Sequence, residues 1–140
     1  MRRAATVYMY FPQRPSAIYD VRVLIELDHA SSTPLYEQVA AAIRREIAEG
    51  ALRGGDELPS ARTLAGALGI NLHTVLRALR VLRDEGILDI HHGRTARVVA
   101  GASADQALFH QALGAAAAHG RRLGLSAEDA ARYLTQAYGT

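Results

Sequence analysis

The sequence predicts an α+β fold that is mainly helical. Three observations predict it: five stretches have the apolar spacing or the caps of helices, one earlier segment alternates like a strand, and one short segment has the pattern of a hairpin. A chain of 140 residues, 49% of them hydrophobic, is long enough for one main core and a small appendage. We expect an extension with a short strand at residues 1–30, a compact domain at residues 31–100 and a two-helix module at residues 101–140.

The composition excludes several classes of protein. Without cysteine there are no disulfides, thiolate zinc sites or thiol catalysis, and no apolar run approaches the ~20 residues that span a bilayer. We therefore expect a soluble, cytoplasmic protein. All 16 cationic residues are Arg, and residues 53–97 hold seven of them against five acids. Because the guanidinium fork suits phosphate oxygens and guanine edges, this local excess mildly favours nucleic acid as the partner.

No pattern in the sequence supports catalysis or a metal site. There is no nucleophile with a matching base, no glycine-rich phosphate loop and no carboxylate pair at catalytic spacing, so we expect no enzyme activity. His91 and His92 are neighbours on a predicted strand and point to opposite faces, and His110 and His119 are nine residues apart on a predicted helix. We therefore expect neither a metal ion nor a cofactor.

The N-terminal region contains one recognisable element. Residues 1–20 include Pro12 and Pro15 and show no period, so we expect an irregular extension that is either disordered or docked on a neighbour. Residues 21–28 alternate as in a half-buried strand, with Val21, Val23, Ile25 and Leu27 on one side.

The first helix is predicted to begin with Thr33 as N-cap and Pro34 at the first helical position, and to end at Gly50. Its apolar stripe repeats every four residues and leaves the charged side chains to solvent. The stripe consists of Leu35, Val39, Ile43 and Ile47, and the expected solvent-facing charges are Glu37, Arg44, Arg45 and Glu49.

Two further helices are joined by a tight turn. Ser60 caps a second helix that runs to Leu68, and after only two residues Asn71 caps a third helix that is closed by Gly86. A turn this short forces a large crossing angle. The inward positions are Leu64, Leu68, Val75, Leu79 and Leu82, whereas the other face of the third helix carries His73, Thr74, Arg77 and Arg80.

A β-hairpin is predicted next, with residues 87–91 and 96–99 as strands and glycine at the bend. Two helices joined by a tight turn and followed by a hairpin bring a helix N-terminus and a β-tip to the same side of a domain. This is the geometry of a winged helix-turn-helix, in which a helix enters the major groove of B-DNA and the hairpin reaches the adjoining minor groove. The sequence therefore predicts binding to duplex DNA.

Two helices are predicted to end the chain. Ser103 caps one that runs to about His119, and Ser126 with Asp129 forms a capping box for another that runs to about Tyr138. Such a pair cannot bury its apolar stripe by itself, so we expect it to pack against its two-fold mate in a homodimer. Packing back onto the same chain is the alternative.

Several spaced motifs, taken in order, resemble those of the GntR family of bacterial regulators. They are Pro34-Leu35-Tyr36, the run from Gly50 to Ser60, Leu64-Ala65, Leu68-Gly69, Thr74-Val75, Glu85-Gly86 and Gly93. The resemblance implies a winged helix-turn-helix, dimeric binding to a palindromic operator and, usually, repression relieved by a small-molecule effector. Only about 40 residues follow the hairpin, too few for the larger effector domains of the family, so the chain is similar to the YtrA-like subfamily.

The resemblance also implies roles for residues of the second helix and its cap. Arg62 matches a DNA-contacting Arg of the family, with a solvated surface charge as the alternative, and Ser60 serves as helix cap and phosphate donor. The family motif continues with Glu on either side of that Arg, whereas this chain has Ala61 and Thr63. Because the reciprocal carboxylate is missing, we expect a weaker cap.

In the third helix and the hairpin, Thr74, His92 and Gly93 match family contacts. A locally satisfied Thr74 and a plain tight turn at Gly93 are the alternatives. We expect Asn71 to present the helix N-terminus, His73 to read sequence and Arg77 to contact phosphate or guanine. Arg80 lies on the same face as Arg77 and either contacts DNA as well or pairs with Asp84. Arg94 is expected to supply charge in the hairpin.

Leu72 and Leu76 stand where many members of the family have Arg, so the operator half-site of those members does not transfer. The function that these observations favour is a sequence-specific regulator that binds double-stranded DNA, a dimeric repressor released by an effector. The alternative is an architectural or RNA-binding winged-helix protein that does not discriminate between sequences.

Overall fold

The structure, a computed structural model, describes residues 2–9, 21–90 and 95–139. Within these residues the chain forms four strands and five helices, which confirms the predicted mainly helical α+β fold. In chain order they are β1 (Arg2–Met9), β2 (Val21–Asp28), α1 (Leu35–Ala48), α2 (Ala61–Leu68), α3 (Leu72–Asp84), β3 (Leu88–Ile90), β4 (Ala96–Val98), α4 (Ala104–Arg122) and α5 (Ala127–Ala137).

The N-terminal region contains a strand that the sequence analysis missed. β1 pairs antiparallel with β2 in a register that runs from Arg2 opposite Asp28 to Met9 opposite Val21. The expectation of an irregular extension is therefore wrong for residues 2–9, because a ladder with β2 satisfies a backbone whose own sequence shows no clear period. The predicted strand at residues 21–28 is confirmed.

The first helix begins one residue later than predicted. Pro34 is the N-cap, with an extended ψ of 147°, so Thr33 does not cap the helix. The Gln38 side chain holds the approach to the helix instead: its amide donates to the carbonyls of Asp28 and Thr33, and its oxygen accepts from the Asp28 N–H at 2.7 Å. The helix ends at Ala48, close to the predicted stop.

The core is formed by one face each of α1, α2 and α3 together with the β3–β4 hairpin, Ile25 and Leu27 of β2, and Ala107 of α4. The predicted cap of α2 by Ser60 and that of α3 by Asn71 are both confirmed, and Gly69 ends α2 in the left-handed conformation at φ 65°. The buried side chains include Val39, Ile43, Ile47, Leu52, Leu58, Leu64, Leu68, Val75, Leu79, Leu82, Ile87, Leu88, Ala96 and Val98.

The hairpin carries a third extended segment that was not predicted. β3 and β4 are antiparallel, with Leu88 opposite Val98, and residues 56–58 pair with the free edge of β4. The Leu58 N–H donates to the Ala96 carbonyl and the Val98 N–H donates to the Asp56 carbonyl, both at 2.8 Å. The loop before α2 is thereby fixed to the hairpin.

Arg44 is not in solvent, contrary to expectation. Its side chain is 3% exposed and forms a two-bond ion pair with Glu85 at the end of α3, one bond being Nε to Oε2 at 2.9 Å. The Glu37 carboxylate lies 3.8 Å from Arg44 Nη1, and His110 Nδ1 of α4 lies 3.7 Å from Glu85 Oε1. The apolar stripe that repeats every four residues predicted Arg44 on the solvent side. This prediction failed because α4 packs against α1 and covers this side of the helix.

The C-terminal helices are predicted well but pack sparsely. Ser103 caps α4, and Ser126 with Asp129 forms the expected capping box of α5. α4 packs along α1 and buries Ala107, whereas no residue of α5 is buried. None of the helices in residues 2–9, 21–90 and 95–139 is long and apolar enough to cross a membrane.

Candidate nucleic-acid interface

The start of α2, one side of α3 and the β3–β4 hairpin border an open groove of about 590 Å³. We call it the reading groove. Its floor is mostly apolar and three guanidinium groups line it. The lining residues are Ser60, Ala61 and Arg62 from the start of α2, Leu72, Leu76, Leu79, Arg80 and Arg83 from α3, and Ile90, Thr95 and Ala96 from the hairpin.

Ser60 fixes the start of α2 at the edge of this groove. Its Oγ accepts from the Thr63 N–H at 3.1 Å and donates to Thr63 Oγ1 at 2.8 Å. The hydroxyl of Thr63 thus takes part in the cap where the family pattern would place a carboxylate. Arg62 is the second residue of α2. Its side chain is exposed beside the groove, as predicted from its place on the helix.

The N-terminus of α3 is exposed to solvent, next to the groove. Asn71 Oδ1 accepts from the His73 N–H at 2.7 Å, and Asn71 and His73 are both exposed. Thr74 is half-buried, and its hydroxyl takes part in no hydrogen bond with the described residues. Because a capped helix start still directs N–H groups outward, this end of α3 suits an anionic partner.

Arg77 lies apart from the reading groove. Its guanidinium carbon is 3.9 Å from the centre of the Tyr36 ring, a cation–π contact that joins α3 to the start of α1. The outer surface of α3 therefore has two sides. His73 and Arg77 lie on the side toward Tyr36, whereas Leu72 and Leu76 face the groove.

The cations at the groove differ in their partners. Arg83 pairs with Asp84 at 3.3 Å, and both side chains are exposed, so the predicted alternative of an Arg80–Asp84 pair is not formed. Within the described residues, neither Arg62 nor Arg80 has an ion pair. Guanidinium groups without an ion pair at the edge of a groove have the charge and the donors that suit phosphate oxygens.

Three predicted contacts cannot be placed. His92, Gly93 and Arg94 lie outside the described residues, which resume with Thr95. Thr95 donates its hydroxyl to Glu57 of the paired loop, and Arg97 lies 3.8 Å from the same carboxylate group. These contacts position the base of the hairpin beside the groove.

Leu72, Leu76 and Arg83 line the groove but were not among the predicted contacts, and Arg80 was predicted either to contact DNA or to pair with Asp84. The signal was present, because positions 72, 76, 80 and 83 follow one another at helical spacing along one side of α3. The two Leu residues stand where many members of the family have Arg, and both are half-buried. Among residues 2–9, 21–90 and 95–139 no group of three His, Asp or Glu side chains could hold a metal ion.

Comparison with known proteins places this geometry in a family. The family model described as bacterial regulatory proteins, gntR family, matches residues 35–98. The chain is 33% identical over 116 residues to the HTH-type transcriptional regulator Rv1152 of Mycobacterium tuberculosis, a match that covers 83% of this chain and 95% of that protein. It is 39% identical over 71 residues to the HTH-type transcriptional repressor YtrA of Bacillus subtilis.

The match to the Bacillus repressor covers 51% of this chain and 55% of that protein, so it spans about half of the relative. Among solved structures, the chain is similar to YtrA from Sulfolobus acidocaldarius, a GntR-family transcription factor. The identity is 38%, the alignment covers 64% of this chain and 96% of that one, and the TM-score is 0.53.

These relatives confirm the resemblance to the GntR family and, with two proteins named YtrA among them, to its YtrA-like subfamily. They are transcription regulators and repressors, which supports the expectation of a non-enzymatic role. The family match covers α1, α2, α3 and the hairpin, and so includes all the elements that line the reading groove. The chain therefore belongs to the gntR family of bacterial regulatory proteins and is a helix-turn-helix, DNA-binding transcription regulator.

Proposed function

We propose that this regulator binds a palindromic operator in double-stranded DNA as a homodimer and represses transcription until a small-molecule effector releases it. The observation that carries the proposal is the pair of uncompensated cations, Arg62 and Arg80, beside the capped and exposed start of α3. A surface of this kind has both parts that a DNA site needs: donors for phosphate and a helix end that fits the major groove.

In the proposed complex the start of α3 lies in the major groove. Asn71, His73 and Thr74 face the base edges and the nearest phosphates, Ser60 and Arg62 contact the backbone or a base from α2, and Arg77 contacts phosphate after leaving Tyr36. His92, Gly93 and Arg94 follow the backbone into the adjoining minor groove.

The dimer is proposed to form through the last two helices, which we call the tail (residues 104–138). All the large exposed hydrophobic side chains among the described residues lie there. They are Leu108, Phe109, Leu123, Tyr133, Leu134 and Tyr138. The first part of α4 packs back onto α1, the alternative that the sequence left open, but α5 contains no buried residue. A second copy covers this surface in our proposal.

We further propose that the protein acts in the cytoplasm, where operator DNA is accessible. In this proposal the effector changes the affinity of the reading groove for DNA through the contact between α4 and α1. The ion pair of Arg44 with Glu85 lies at this contact and links α1 and the end of α3 to α4 through Gln106, whose amide donates to the Glu85 carbonyl at 2.9 Å.

Fluorescence anisotropy tests the proposal. The full chain is titrated into a labelled duplex from the region upstream of its own gene, into a shuffled duplex of the same composition, and into the matching RNA. We expect at least a thousandfold preference for the upstream duplex at physiological salt. Equal affinity for all three, with a steep salt dependence, would instead indicate the architectural or RNA-binding alternative.

A further inference from the structure

Leu72 and Leu76 lie at the margin of the core face of α3 and border the reading groove. The core face of the helix consists of Val75, Leu79 and Leu82, all buried, whereas Leu72 and Leu76 are half-buried and line the reading groove. Within the described residues, Leu72 packs partly against the core cluster and Leu76 does not. Leu76 thus leaves an apolar surface in a groove whose rim is cationic.

The chemistry of this groove restricts what can fill it. Arg62 and Arg80, which have no ion pair within the described residues, line its sides and favour an anionic partner, while Leu72 and Leu76 offer no donor or acceptor to a polar one. A duplex matches both features, since phosphates run along the edges of its major groove and the C5-methyl of thymine is the apolar group that the major groove displays.

We propose that Leu72 and Leu76 select operator half-sites with thymine at the positions they face, by packing on its methyl group. This inference rests on the proposed function, and it names the bases that the site takes. A guanine or adenine edge in the same place would leave acceptors or donors against an apolar side chain without partners, which disfavours those bases.

The spacing of the two Leu residues predicts the spacing of the thymines. Residues four apart on a helix are separated by about 6 Å along its axis. Stacked bases follow one another at about 3.4 Å, so the two selected positions are expected about two base pairs apart, on either strand. The thymine that lies nearer the N-terminus of α3 is assigned to Leu72, the first residue of that helix.

Uracil substitution tests the inference one methyl at a time. In an operator duplex that the full chain binds, each thymine is replaced singly by deoxyuridine, which differs only by the lost methyl. We expect the affinity to fall about fourfold at each of two positions in each half-site, the equivalent of one buried methylene group. At one of them the loss should disappear in the Leu76→Ala variant, and at the other in Leu72→Ala.

Val81→Ala is the matched control, because Val81 is a half-buried apolar residue of the same helix that does not line the reading groove, and it should leave the response to uracil intact. The wild-type scan needs no variant to fold, so it stands by itself. Specific binding that is insensitive to uracil at every position would overturn this inference and leave the proposed function in place. The inference would also be overturned if uracil lowered the affinity of Leu72→Ala and of Leu76→Ala by the same factor as that of the wild type at every position. Equal binding of operator and shuffled duplex would overturn both.

Discussion

The two parts of this molecule treat their apolar side chains differently. In the segment from β2 to β4, which we call the head (residues 21–99), side chains from three helices and a hairpin are buried together. In the tail, Ala107 is the one buried hydrophobic side chain among the described residues, and large side chains such as Leu123 and Tyr138 are 74% and 69% exposed. The head buries most of its apolar side chains, whereas the tail keeps its large ones exposed, and an exposed apolar surface of this kind is typical of an interaction site.

Polar groups show the opposite distribution at the boundary between these parts. Buried Arg44 forms a charge cluster with half-buried Glu85 and Glu37 where the head meets α4, and His110 of the tail lies against it. Desolvated ion pairs are sensitive to the loss of one partner. The contact between head and tail is therefore more specific in its geometry than the apolar surface further along the tail.

Removal of this ion pair should have the largest effect. Arg44→Leu leaves the Glu85 carboxylate without its main partner, and we expect the free energy of unfolding to fall by about 3–5 kcal/mol in urea titrations. In the double variant with Arg44→Met and Glu85→Met, which removes both charges, we expect part of this loss to be recovered. A change below about 1 kcal/mol for the single variant would mean that the head does not depend on this cluster.

The tail should respond in association and not in folding. Leu134→Arg places a charge on the exposed apolar side of α5, and we expect the dissociation constant of the dimer to rise about 30-fold, equivalent to about 2 kcal/mol. Sedimentation equilibrium measures this constant. Gln136→Arg adds the same charge on the opposite side of the helix and should leave the dimer intact; a similar loss for both would contradict an interface on the apolar side.

In the head, a cation at the groove should matter for binding and not for folding. Arg62→Ala should weaken operator binding by about 1–3 kcal/mol, because the side chain has no ion pair within the described residues and is exposed beside the groove. Anisotropy titrations measure the loss. Arg121→Ala, an exposed Arg at the end of α4, is the control, and unchanged binding by Arg62→Ala would remove Arg62 from the interface.

The smallest effect concerns a buried acid in α1. Burial raises the pKa of Glu46, the charge of Glu49 raises it further, and Arg45 opposes the rise. A raised pKa means that the group stabilises the fold at low pH and that this stability is lost as the pH rises through the folded value. Glu46→Gln should therefore have a slightly higher unfolding midpoint than wild type at pH 7, with the difference closing below about pH 4. A higher midpoint of the wild type at pH 7 would contradict this.

The helix-turn-helix and its hairpin could be predicted from the sequence because their signals are local. Ser60, Asn71, Gly69 and Gly86 mark helix ends by cap and turn chemistry, and this chemistry acts within a few residues. The same holds for the capping box at Ser126. Elements of this kind are defined before any long-range contact is known.

The features that escaped prediction depend on distant partners. β1 is a strand because β2 pairs with it, and Arg44 is buried because α4 covers α1 and Glu85 approaches from α3. The pattern of Leu72 and Leu76 could not separate a core side from a groove side, since the hairpin that completes the groove follows more than ten residues later. The expected contacts of the hairpin tip remain predictions.

The central claim is that the start of α3 lies in the operator's major groove in both halves of a dimer. The chain has no cysteine, so His73→Cys gives a single attachment point for an iron chelate that cleaves nearby DNA. With the labelled operator, we expect cleavage at two places about 34 Å apart, one in each half-site. The same chelate on Gln136→Cys in α5 should give no cleavage. Cleavage from Gln136→Cys with none from His73→Cys, or cleavage at a single half-site, would contradict it.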